Sequence, residues 1–177
     1  NNPLAYPYFP FANPPYAARA YAYVSAAQYD ALVAAWHYKT LYNRAAPYSV
    51  DATVNVLIQK SDLPSYPSED GVVAGVMVEM MKLMFPGEQE FIQQKAEEHK
   101  RSRIIAGANV RSDIEAGEAL GKAVAQKFVA RARGDRAGTA GGNLTIWAQY
   151  EADCAARGEI PWQSLEIPKR PPMLMNF

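Results

Sequence analysis

The chain has 177 residues, 49% of them hydrophobic, and its 18 Lys and Arg are balanced by 18 Asp and Glu. That length is most simply one domain that buries a core without staples, and zero net charge leaves no nucleic-acid or acidic-membrane footprint. The single cysteine, Cys154, excludes an internal disulfide and a cysteine-rich metal site; no apolar run reaches the roughly 18 residues of a transmembrane segment, and NNPLAYPYFP does not read as a signal peptide.

Residues 1–13 carry prolines and aromatics with almost no charge, the composition of an extended arm. From about residue 15 to 43, alanines with aromatics three and four apart predict a buried helix or helix pair. The stretch RAAPYSVDATVNVLIQKSDLPSYPS has β-branched residues but prolines at both ends, so it reads as a long connection rather than a sheet. A helix over 69–84 follows, stopped by Pro86 and Gly87. Residues 88–110 begin polar and end apolar, which suits a helix entering the core at its C-terminal half with its end pointing into a site. The next helix opens with the capping box Ser112-x-x-Glu115 and closes near Gly134. Within it Ile114, Gly117, Leu120, Gly121, Val124 and Phe128 share a face, and the two glycines would permit close helix contact. RGDRAGTAGG reads as a flexible loop, and a last short helix is capped by Asn143 or Thr145. The remainder, from 159 to 177, is proline-rich and extended. The sum is an all-α domain over 14–158 between an N-terminal arm and a C-terminal tail.

The stretch PSYPSEDG, residues 64–71, joins a strong structural signal to chemistry that does not fit it. Its prolines and serines fix a turn, Ser68 is a good helix N-cap, and a long apolar run follows. A turn entering a helix N-terminus is a ready anion site, yet this helix opens with Glu69 and Asp70, which would repel an anion.

Three pieces in order, AWHYKTLYNRAAPY, PSYPSEDGVVAG and SRIIAGANVRSDIEAGEALG, resemble the acid phosphatase and vanadium haloperoxidase superfamily, which includes type-2 phosphatidic acid phosphatases. The resemblance covers about 14–134. It implies a helical bundle with an oxyanion pocket in which a lysine, two arginines, a serine and a glycine backbone hold phosphate or vanadate. One histidine attacks phosphorus or ligates vanadium, an aspartate orients it, and a second histidine is the acid-base group. Lys39, Pro47, Pro67, Ser68, Ser102, Arg103 and Asp113 match the motifs. Ala46 stands where the first arginine belongs, Glu69 and Asp70 replace glycine-histidine, and Asn109 replaces the nucleophilic histidine.

An asparagine amide is a poor nucleophile without a protonation change near neutrality, so Asn109 can neither form a phosphoenzyme nor supply an imidazole to vanadium. Asp70 and Glu69 add negative charge where phosphoryl transfer needs positive charge, and losing the glycine closes the backbone approach. With Ala46 removing one bidentate clamp, the pocket balances itself, and Arg103 with Asp70 is the expected central pair. Lys39 and Arg103 therefore read first as structural ion-pair partners, and otherwise as remnants of an anion site. Rescue of catalysis would need His37 or His99, the latter in the solvated-looking EEHKRSR, or Arg44 standing in for the missing arginine. A carboxylate metal site from Glu69, Asp70 and Asp113 has no supporting spacing rule, so no metal is expected. The NLT sequon at Asn143 matters only for a secreted, glycosylated chain.

The expected function is that of a non-catalytic domain of this fold acting as a structural or interaction module, with no cofactor. Its partner would be another protein or a second copy held through the aromatic, proline-rich arms, with no nucleic acid. The alternative is an active phosphatase, on phosphomonoesters or lipid phosphates, or a haloperoxidase-like enzyme with a rebuilt pocket that takes phosphate or vanadate. The resemblance implies a periplasmic, extracellular or cell-surface location.

Overall fold

The computed structural model describes residues 14–137, 144–163 and 165. They contain helices and no strand. The arm over 1–13, the sequon asparagine, the second half of the 133–142 loop and most of the tail lie outside the described residues.

Helix α1 spans Pro14–Tyr42 as one continuous helix rather than a pair. Two prolines suit its first turn, where backbone N–H groups lack helical partners anyway. It stops at Asn43, whose φ of 44° and bond from its N–H to the Lys39 carbonyl (2.9 Å) form a left-handed C-terminal cap. Ala27, Ala31 and Ala35 are fully buried. Their four-residue step makes a narrow, smooth stripe that lets neighbouring helices approach closely.

The connection over 43–68 contains only the short helix α2, Pro47–Val50. Helix α3, Glu69–Met84, begins where Ser68 Oγ accepts from the Gly71 N–H (3.2 Å) and ends before a 3-10 turn at Pro86–Glu88. Its Val72, Val76 and Met80 join the alanine stripe of α1 and Ala125 and Val129 of α5 (Arg111–Gly134) in the main core. Ala74 and Val78, on another side, pack with Ala96 and Ile92 of α4, Gln89–Ile105.

Two expectations fail at the ends of α4 and α5. Helix α4 does not run to residue 110 or enter the core at its end: Ile104 and Ile105 are exposed, and the chain turns at Gly107 with φ of 72°. Its inward row is Ile92, Ala96 and Lys100; Ile104 is the next step of four, but in the last turn of the helix that row is exposed, and Ile105 lies beside it. The capping box at Ser112 does not form, because α5 starts one residue earlier. Asp113 Oδ2 instead accepts from the Val110 N–H (3.0 Å), reaching back to the residue before the helix.

Glycines set the α3 and α5 contact. A Cβ on Gly71 would lie 2.6 Å from the Ile114 carbonyl oxygen, and one on Gly75, Gly117 or Gly121 would press still closer on the carbonyl oxygens of Glu118, Ser68 and Val72 respectively. Backbone therefore meets backbone, and no residue but glycine fits without movement.

Helix α6, Leu144–Ala156, belongs to a second compact unit, apart from the body over Arg19–Arg131. Thr145 lies inside this helix rather than capping it. Trp147 meets Tyr150 and, edge-on, Trp162, while Cys154 is buried as a free thiol.

Candidate functional site

The three motif segments meet at the N-terminus of α3. Lys39 continues the alanine stripe of α1 by one more four-residue step and is 2% exposed. Its ammonium donates to the Pro64 carbonyl (2.5 Å), stands 3.6 Å from Glu69 Oε2, and lies 5.7 Å from the centre of the Trp36 ring. A buried ammonium needs such partners, and here they are one carbonyl, one partly exposed carboxylate and an aromatic face.

Asn109 is nearly buried at the turn between α4 and α5. Its amide nitrogen donates to the Ser65 carbonyl (3.0 Å), and its oxygen accepts from Ser68 Oγ (3.1 Å). Ser68 in turn accepts from Gly71 and donates its own backbone N–H to the Asp113 carbonyl (2.9 Å). The side chain at this position ties the 64–68 turn to the start of α5.

Asp70 faces two side chains of α4, Arg103 and His99. Arg103 Nε stands 2.9 Å from Asp70 Oδ2, and His99 Nε2 stands 3.3 Å from Oδ1. The Arg103 contact is close in distance but its Nε–H is not aimed at the carboxylate, so that buried nitrogen has no directed acceptor. We regard the pair as an ion pair held by charge rather than by a directed hydrogen bond. All three side chains are partly exposed, which limits the energy of the cluster.

Asp113 is fully buried and doubly engaged: Oδ2 with the Val110 N–H, and Oδ1 with Arg44 Nη1 at 3.0 Å. The same Arg44 nitrogen donates to Ser112 Oγ (3.0 Å), and the guanidinium lies over the Tyr66 ring. Arg44 thus neutralises Asp113. Ala46, 4% exposed, presents a methyl group to the interior.

His37 sits on the outer side of α1, beside the Tyr38 ring and among Val33, Trp36, Thr40 and Leu41 in an open depression. His99, although it lies in a charged and exposed run, reaches Asp70. Its spacing of four from Arg103 on α4 was the signal for this, since residues four apart share a helix face. Glu69, Asp70 and Asp113 do not converge: each has its own basic partner, Lys39 for Glu69, Arg103 for Asp70, beside which His99 also lies, and Arg44 for Asp113. Among the described residues no group of three or more His, Cys, Asp or Glu is arranged to hold a metal ion.

Sequence reasoning missed a second charged cluster, between α4 and α5. Lys100 is 7% exposed and donates to Glu118 and, at 2.7 Å, to Glu97; Lys122 also pairs with Glu118 at 2.6 Å. Burial pushes the Glu118 carboxyl up, but the bonds from Lys100 and Lys122 outweigh it and hold the group below its ordinary value. Burial likewise pushes Lys100 down, and its bonds to Glu118 and Glu97 carry it above the ordinary lysine value. The four-residue step from Ile92 through Ala96 turns position 100 inward, but only the three-dimensional partner explains a lysine there.

No family model matches the chain, and no curated protein matches it. Among the described residues no helix is long and apolar enough to cross a membrane.

Proposed function

We propose that the body of this chain is a non-catalytic domain of the phosphatase and haloperoxidase type, kept as a structural or interaction module, in which internal ion pairs occupy the place of an oxyanion. The observation that carries the reading is Asn109. At the position where the resembled family has its nucleophile, both polar atoms of the side chain are spent on Ser65 and Ser68. An amide, whose nitrogen lone pair is delocalised into the carbonyl, is a poor nucleophile toward phosphorus and does not change protonation near neutrality. Asp70 supports it further, because a carboxylate already balancing Arg103 repels an incoming phosphate. On this reading the domain works in the periplasm, outside the cell or at its surface, and needs no phosphate, vanadate or other cofactor.

A rebuilt active site is the second reading, favoured by the contact of His99 with Asp70 beside Arg103. An imidazole held by a carboxylate is the usual form of a general base. Hydrolysis of a phosphomonoester, assayed with and without vanadate, separates the two. The non-catalytic reading expects no turnover from the purified chain and none from Asn109→His alone, since nucleophile, acid-base group and clamp act as a unit. Activity should require A46R, E69G, D70H and N109H together. Vanadate-sensitive turnover by the natural chain at an ordinary rate, about 1–1,000 per second, overturns it, and loss of that turnover in His99→Gln would establish the second reading.

A further inference from the structure

We draw no further inference here: the strongest candidate, the exposed apolar face of α1 that includes Val33, Trp36 and Leu41, is an unpartnered helix face and nothing in the structure shows what covers it.

Discussion

Helix α3 meets two of its neighbours, α5 and α4, by different physics. Against α5 it lays bare backbone on bare backbone at Gly71, Gly75, Gly117 and Gly121. Against α4 it uses a small apolar cluster of Ala74, Val78 and Ala96, with polar pairs at either end: Asp70 with Arg103 and His99, and Lys82 with Gln93 at 3.0 Å. The first contact is defined by sterics, which rise steeply over a few tenths of an ångström, so it admits almost no change. The second is defined by long side chains at the rim, where solvent screening and rotamer freedom soften every loss.

The largest effect expected from this contrast is at Gly121. Gly121→Ala drives a methyl group into the Val72 carbonyl and should cost about 3 kcal/mol or more, because the obstacle is backbone and cannot rotate away. Gly134→Ala, where a Cβ would meet nothing, should instead be neutral or stabilising by about 0.5 kcal/mol. Urea unfolding of the two variants beside the natural chain measures both, and equal midpoints would remove the distinction between the faces.

An intermediate effect is expected where α4 reaches α5 through Lys100 and Glu118. Glu118 is held below its ordinary value of 4.5, so its contribution is present above that pH and lost as pH falls through its depressed folded value. Lys100 is held above 10.5, so its contribution is present below that pH and lost as pH rises through its raised folded value. Stability should therefore be level between these limits and fall at both ends. Glu118→Gln should lower the plateau by about 1–2 kcal/mol and make the acid limb shallower, as read from unfolding midpoints across pH.

Asp70→Asn should have the smallest effect, below about 1 kcal/mol, since Asp70, Arg103 and His99 are all partly exposed. A loss as large as that of Gly121→Ala would mean that the rim charges, and not the glycines, hold α3 in place.

Most of the helical content is legible in the sequence because the punctuation is local. Ser68, Pro86 and Gly134 mark ends that the helices respect. Arg103 and Asp70 are paired in the sequence because the resembled motifs put both in one pocket, and they do lie together, though partly exposed rather than buried. What the sequence could not show are pairings chosen by packing. Gly117 and Gly121 are visible as a spacing, but their counterparts Gly71 and Gly75 gain meaning only once α3 lies against α5. Arg44 reads in the sequence only as a stand-in for the missing clamp arginine, and its pairing with Asp113 comes from the fold of the 43–68 connection. His99 reads as solvated because its neighbours in sequence are charged, whereas its neighbour in space is Asp70.

Ala27, Ala31, Ala35 and Lys39 step by four along one line of α1, and the last of them holds the Pro64 carbonyl. The core and the motif turn are thereby locked to the same count of residues. Adding or removing one residue between Ala35 and Lys39 would swing the ammonium by about 100° away from that carbonyl while the alanines stayed seated. The length of the helix between those points is therefore not free to drift. Insertions and deletions in descendants of this sequence should fall in the connection after Asn43 and spare the last turns of α1.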